Sequence, residues 1–380
     1  MWQTVHDAWW RLATQNDPQS FRDALTCRVL ATASLPYRAA VSLRNAGYDR
    51  GWLKPVRLPC PVVSVGNLTV GGTGKTACVE LVAKKLLARS VRVAVLSRGY
   101  GSARQDYWLE SDRGRLLVNG QAQDASDGLA DEPQLLAAHL EGVPIVVGAR
   151  RDRTGHRACS ELGAEALILD DGFQHRRLHR DCEIVLVHAR MPLGGWPMLP
   201  RGPMREPLEA LSRAHVVIIT KADEALELLG ALTERLRSFA KEADFLTAVH
   251  EPTRVLDAAT GETSSARSLT GLRVGLVSSI GDPAGFEATL RRLPATVAWH
   301  LAFPDHHRYD ANDWQAICSR SREGGLDAVV TTEKDWVRLQ SQWRVASGEW
   351  RVALRVLGVE MRILSGESLL DDRLARLRAR

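Results

Sequence analysis

Between Pro61 and Thr76 the chain runs from a β-branched stretch, Val62-Val63-Ser64-Val65, into Gly66-Asn67-Leu68. The turn Thr69-Val70-Gly71-Gly72-Thr73-Gly74 follows, and then Lys75-Thr76. These residue types at this spacing are suited to holding phosphate. Glycines at 71, 72 and 74 let backbone N–H groups face phosphate oxygens at close range. A helix opening at Lys75 aims the positive end of its dipole at the same anion. The Lys75 ammonium can pair with β- and γ-phosphates, and the Thr76 hydroxyl can ligate Mg²⁺. One departure stands out: the first glycine of G-x-x-x-x-G-K-[ST] is replaced by Thr69. A glycine turn that binds nothing is the bland alternative, and the agreement of strand, turn and helix start speaks against it.

Other residues could join such a site. Leu167-Ile168-Leu169-Asp170-Asp171 is an apolar run ending in two carboxylates. Alone it reads as a turn or helix cap; behind a phosphate-binding loop it reads as a Mg²⁺ site. Asp131-Glu132-Pro133 opens a helical pattern and reads either as an N-cap with Glu and Pro in the first turn, or as a pair in which one carboxylate is a base for an attacking hydroxyl and the other a metal partner. In Asp305-His306-His307 a carboxylate can orient a histidine, although surface loops carry such pairs often. Arg150, Arg151, Arg153, Arg201 and Arg205 are mostly solvated on this reading, with a few free to clamp phosphate. Thr220-Lys221-Ala222-Asp223 resembles the guanine-reading [NT]-K-x-D element, which opens a rival class: a GTPase or nucleotide-dependent regulatory protein. Against it, Leu169 stands where the DxxG element of those proteins needs aspartate. A MinD-like ATPase is disfavoured too, because Val70 and its apolar and glycine neighbours occupy the place of its additional lysine.

The elements that must position these residues follow from periodicity. Short Val/Ile/Leu-rich strands are expected at 91–96, 144–147, 166–169, 183–188 and 216–220, with helices at about 75–89, 132–141 and 152–162 between them. Continuous apolar strands joined by helical crossovers predict an α/β fold, a P-loop NTPase-like parallel sheet covered on both faces. Ligands in such sheets gather at the strands' carboxyl ends. Those ends carry Ser97-Arg98-Gly99-Tyr100-Gly101, Asp170-Asp171-Gly172-Phe173-Gln174-His175 and Thr220–Asp223. Near 249–266 Pro, Thr, Gly and Ser accumulate, and a second αβ pattern follows that ends in a hairpin-like stretch at 350–363. Three parts are expected: an N-terminal amphipathic helical segment (1–48), a phosphate-loop domain (49–248) and a smaller C-terminal α/β domain (249–380).

The 380 residues are 45% hydrophobic and 25% charged, an ordinary globular composition. A net charge of +5 suits an anionic partner, whether a nucleotide, phosphorylated substrate, acidic lipid or nucleic acid, and charge alone does not choose among these. The six cysteines are scattered, which argues against a structural zinc or disulfide framework and for a reducing compartment. No secretory leader and no run of about 20 apolar residues is visible. From Leu25 to Gly47, Val29, Leu30, Leu35, Tyr37, Val41 and Leu43 interleave with Arg28, Arg38 and Arg44, downstream of Trp2, Trp9 and Trp10. Such a stretch either lies in a membrane interface or packs on the core with its arginines solvated.

Taken together, Gly66–Thr76, Ser97–Gly101, Asp131–Pro133, Asp170–His175 and Phe303-Pro304-Asp305-His306-His307 resemble the tetraacyldisaccharide 4′-kinase family, the lipid A 4′-kinases of Gram-negative bacteria. Gly202–Pro207, Gly281–Phe286 and Thr331–Asp335 match as well, so the likeness runs from about residue 30 to 370. Thr69 is normal for that family. The resemblance implies transfer of the ATP γ-phosphate to the 4′-hydroxyl of an acylated glucosamine disaccharide 1-phosphate lipid. It implies a monotopic protein on the cytoplasmic face of the bacterial inner membrane, with no nucleic acid partner. It implies that Asp131 and His306 deprotonate the acceptor hydroxyl, with His307 the alternative histidine. Glu132, Asp170 and Asp171 would surround Mg²⁺, and Arg151, His175 and Arg205 would line the site.

Overall fold

The computed structural model describes residues 9–14, 20–100, 102–104, 106–112, 115–122, 128–192, 194–322, 325–346 and 352–377. Gly101 and Trp2, both named above, lie outside the described residues, as do 1–8 and 15–19 of the N-terminal segment. The chain divides into two compact units: Met1–Val249 with Met361–Arg380, and His250–Glu360.

After a short helical stretch at 9–14, the first unit carries a 29-residue helix, α1 (Phe21–Asp49), capped by Ser20, whose hydroxyl accepts from the Asp23 N–H at 3.0 Å. Its sheet then forms from β1 (Val62–Asn67), β2 (Val93–Ser97), β6 (Ile145–Val147), β7 (Ala166–Asp170), β8 (Cys182–His188), β9 (Val216–Thr220) and the start of β10 (Asp244–Asp257). The parallel order is β6-β2-β7-β1-β8-β9-β10, with β1 at the centre. The β1, β2, β6, β7 and β9 strands are buried at every position, as expected of strands covered on both faces.

Helices α2 (Lys75–Leu87) and α3 (Asp131–His139) cover one face, where Val79, Val82, Leu86 and Leu136 join Val63, Val95 and Ile168. Helix α4 (Arg151–Ser160) lies on the other, its Ala158 packing with Leu58, Leu96 and Leu167. Helix α5 (Leu229–Arg237) buries Leu232 and Leu236 beside Val217 and Ile219.

Several expectations need correction. The sheet is not wholly parallel, because β3 (Tyr107–Asp112), β4 (Arg115–Val118) and β5 (Gln121–Ala122) add an antiparallel meander to β6. Its strands are short and two of them are half-exposed, so they lack the continuous apolar signature. The chain from Met361 onward belongs with the first unit, not with a C-terminal domain running to 380. Leu370 and Leu374 of α9 (Glu367–Ala375) enter the core beside Val79 and Val82. The Cys60 and Cys159 sulfurs lie side by side, a single pair and not the framework that cysteine scatter argued against.

The second unit holds a parallel sheet in the order β13-β12-β14-β15, from β12 (Arg273–Ser278), β13 (Thr296–Ala302), β14 (Ala328–Thr332) and β15 (Ala353–Ser365). Of the hairpin expected at 350–363, residues 350 and 351 lie outside the described residues, and from Ala353 on it is instead the single strand β15. Residues Arg254–Leu256 of β10 pair antiparallel with β11 (Thr263–Ser265). Helices α6 (Pro283–Arg292), α7 (Ala311–Arg322) and α8 (Glu333–Ala346) pack on this sheet through Phe286, Leu290, Ile317 and Leu339.

Candidate functional site

At the carboxyl end of the central strand the chain must reverse into α2 around a space fit for phosphate. Gly71 and Gly74 make the turn at φ +101° and +86°, backbone that L side chains rarely adopt. Gly74 takes the N-cap position of α2, so Lys75 and Thr76 start the helix as the spacing predicts. Asn67 braces the turn from inside: its Nδ2 donates to Thr73 Oγ1 at 2.8 Å, both residues being buried. Thr69 is buried and bridges to Met204, so the replaced glycine sits in a paired segment and not at the tight bend. A side chain at Gly66 would meet Phe173 Cβ and N at 2.6 Å, which is why β1 can lie against the segment after β7.

Beside this turn, β7 delivers Asp170 and Asp171. Asp171 has φ +50° and lies 3.6 Å from the Lys75 ammonium. Arg205 Nη1 donates to its two oxygens at 2.8 and 3.0 Å. Burial alone would raise the Asp171 pKa, but Lys75 and Arg205 together hold it below its ordinary value. Asp170 goes the other way: burial first, then repulsion from Asp171 and Glu132, pushes it up to about 6. Ser97, at the end of β2, donates to Asp170 Oδ2 at 3.2 Å.

Arg151 opens α4 and is 3% exposed; its Nη2 donates to the Asp170 carbonyl at 3.4 Å, while its Nε is buried without a hydrogen bond. Burial and the neighbouring guanidiniums of Arg151 and Arg180 hold His175 down at about 4, so its imidazole is neutral near pH 7. The His175 Nε2 is likewise buried and unbonded. Asp131 is a first-turn residue of α3, with Ala130 in the cap position, so the N-cap reading of this aspartate does not hold.

Within the first unit, then, Lys75, Glu132, Arg151, Asp170, Asp171, His175 and Arg205 are linked by contact or by charge. Sequence reasoning passed over Ser97, Asn67 and Gln174. Gln174 Oε1 lies 3.4 Å from Arg205 Nη1 and its Nε2 donates to Asn67 O at 3.0 Å. All three stood inside motifs already singled out, and their polar side chains at strand ends were the available signal. Thr220–Asp223 sits at the end of β9, where the buried Lys221 lies 3.8 Å from Glu224.

In the second unit, the loop after β13 separates the two adjacent histidines. His307 Nε2 meets Asp313 at 2.7 Å, and its ring stacks on Phe303 at 4.9 Å. His306, with φ +61° and a side chain 48% exposed, has its Nε2 3.2 Å from the Lys334 ammonium. A lysine ammonium can only donate, so Nε2 is the acceptor in that pair.

The family model of the tetraacyldisaccharide-1-P 4′-kinases matches residues 26–378. The chain belongs to this family. The "Tetraacyldisaccharide 4'-kinase" of Anaeromyxobacter dehalogenans (strain 2CP-C) is 45% identical over 335 residues, 87% of this chain and 85% of the relative. The one from Syntrophus aciditrophicus is 41% identical over 330 residues, covering 84% and 86%. A similar fold is found in LpxK from Aquifex aeolicus, solved in complex with ATP: TM-score 0.69, 29% identity, 91% of this chain and 98% of that one. Family membership makes this protein an ATP-binding kinase of lipid A biosynthesis and sets aside the GTPase reading of Thr220–Asp223. Among the described residues, no helix is long and apolar enough to cross a membrane.

Proposed function

We propose that this chain transfers the γ-phosphate of ATP to the 4′-hydroxyl of tetraacyldisaccharide 1-phosphate, forming lipid IVA. The observation that carries this reading is the convergence of Lys75 and Arg205 on Asp171, beside a glycine turn that opens a helix. In the complex with ATP, the Gly71–Thr76 amides and Lys75 bind the β- and γ-phosphates, and Arg205 neutralises charge developing on the transferred group.

The donor set fits Mg²⁺. Asp170, Asp171, Glu132 and Thr76 offer only oxygen ligands, and Asp170 is pushed up to about 6 first by burial and then by the Asp171 and Glu132 charges, both of which a bound cation would offset. Bound there, Mg²⁺ would neutralise phosphate oxygens. Arg151, with its buried unbonded Nε, and neutral His175 are assigned to substrate phosphate. Asp131 and His306 are assigned, on the family resemblance, to removal of the acceptor proton. His306 is preferred to His307 because His307 is committed to Asp313 and Phe303.

The lipid acceptor calls for a membrane seat on the cytoplasmic face of the inner membrane, and α1 offers one. Phe21, Leu25, Val29, Leu35 and Leu43 are exposed, and at 3.6 residues per turn they span about 120° of the helix. Arg28 and Arg38 are exposed beside them, while Arg44 pairs with Glu206 and is not available to headgroups. The test is a transfer assay with γ-labelled ATP, offering the acylated disaccharide 1-phosphate beside its deacylated analogue. Label on the acylated lipid supports the proposal. Hydrolysis of GTP with no labelled lipid would overturn it.

A further inference from the structure

The Met198–Glu206 loop, which carries Arg205, is gripped from two sides. Toward the phosphate turn it pairs as a short strand: Val70 N donates to Pro203 O at 2.8 Å, and Arg205 N to Leu68 O at 2.7 Å. Its other side meets α1. Ser34 Oγ lies 3.1 Å from Met198 O and accepts from Arg201 N at 3.1 Å. The Tyr37 hydroxyl donates to the Arg205 carbonyl at 3.0 Å. At the loop's end, Glu206 is fully buried and accepts from Asn45 at 2.6 Å, Arg213 at 3.1 Å and Arg44 at 3.3 Å. Ser34, Tyr37 and Asn45 lie on the side of α1 turned away from its exposed apolar residues.

We propose that Tyr37 and Glu206 are positioning residues for phosphoryl transfer, fixing this loop so that Arg205 stays on Asp171. The inference rests on the assignment of Arg205 to the site. Arg205 reaches both Asp171 oxygens through a single nitrogen. An ångström of loop movement breaks that fork, and misplacements of this size are costly in transfer reactions. A carboxylate buried between two guanidiniums and an amide can hardly slide, since every displacement leaves a charge unpaired. The loop thereby links the seat of α1 to the phosphate site, so the segment facing the lipid also sets the catalytic geometry.

Glu206→Ala would strand two guanidiniums and confound folding with catalysis, so the decisive variant is Tyr37→Phe, which removes one hydroxyl. The transfer assay is run on wild type, Tyr37→Phe, Arg205→Ala and the double variant, with thermal melts alongside. Tyr37→Phe should lower kcat about three- to tenfold, the range a single hydrogen bond spans. KM for ATP should stay within about twofold and the melting temperature within about 2 °C. In the Arg205→Ala background the same substitution should cost nothing further, because its effect runs through Arg205. Full activity of Tyr37→Phe, or a loss that multiplies with that of Arg205→Ala, would overturn the proposal. Wild-type rates in Arg205→Ala itself would instead overturn the assignment of Arg205 to the site.

Discussion

Asp170→Asn should make the protein more stable and inactive at once. In the metal-free and nucleotide-free chain, burial and then Asp171 lift the Asp170 pKa to about 6. Against an ordinary aspartate near 3.9, that is a penalty of about 3 kcal/mol on the ionised form. For a carboxyl raised in the folded state, the native protein binds more protons than the unfolded chain between about pH 4 and 6. Stability therefore falls as pH rises through that window, and the whole penalty is present above it. Asparagine keeps the volume and an acceptor for the Ser97 hydroxyl without the charge. At about 2 cal/mol/K of unfolding entropy per residue, 3 kcal/mol corresponds to about 4 °C for a chain of this length. The assay is a thermal melt without Mg²⁺ or ATP. At pH 7.5 the variant should melt about 4 °C higher, and at pH 5, where wild type already carries the proton, by about half as much. Addition of Mg²⁺ and ATP should stabilise wild type more than the variant, and lipid phosphorylation by the variant should be lost. A variant melting at or below wild type at pH 7.5 would refute the argument, since the Asp170 charge would then be solvated or paired better than its surroundings imply.

Other outcomes follow from the same geometry. Lys75→Ala should reduce transfer by about 10²-fold or more, as loss of a phosphate-stabilising charge does, while circular dichroism of the variant stays that of wild type. His306→Ala should lower kcat by about 10²–10⁴-fold without shifting the melt, whereas His307→Ala should lower the melting temperature by a few degrees through loss of Asp313 and Phe303 contacts; comparing melts and rates of the two variants checks both, and a fully active His306→Ala would transfer the role to His307. Reversing Arg28 and Arg38 to glutamate should weaken binding to anionic vesicles by at least about tenfold in flotation, at roughly 1 kcal/mol for each basic residue; unchanged flotation would mean the apolar face acts alone.

Much of the site could be read along the chain because its groups are fixed by local geometry. The glycines at 71 and 74, the lysine after them and the helix that starts there act within one turn, so spacing sufficed. The same holds for a carboxylate pair at the end of an apolar strand. Strand positions in the parallel core were legible to within a residue or two because burial on both faces leaves continuous apolar runs. The β3–β5 meander was not, because half-exposed short strands carry mixed residues, and β15 looked like a hairpin because its polar positions mimic a turn.

The sequence by itself determined the chemistry on offer: a phosphate turn, oxygen ligands for a cation, basic groups and the family pattern. Only tertiary structure decided how these are shared out. Asp170 and Asp171 are neighbours with identical side chains, yet one is pushed up by burial and like charge while the other is held down by Lys75 and Arg205. His306 and His307 are neighbours too, yet the first faces the Lys334 ammonium and the second packs against Asp313 and Phe303. Arg44, which reads as a headgroup partner, turns inward to a buried Glu206 that lies 162 positions later. Charge and burial act through distances in space, and a residue's type and local spacing carry no record of what the fold brings to its other side.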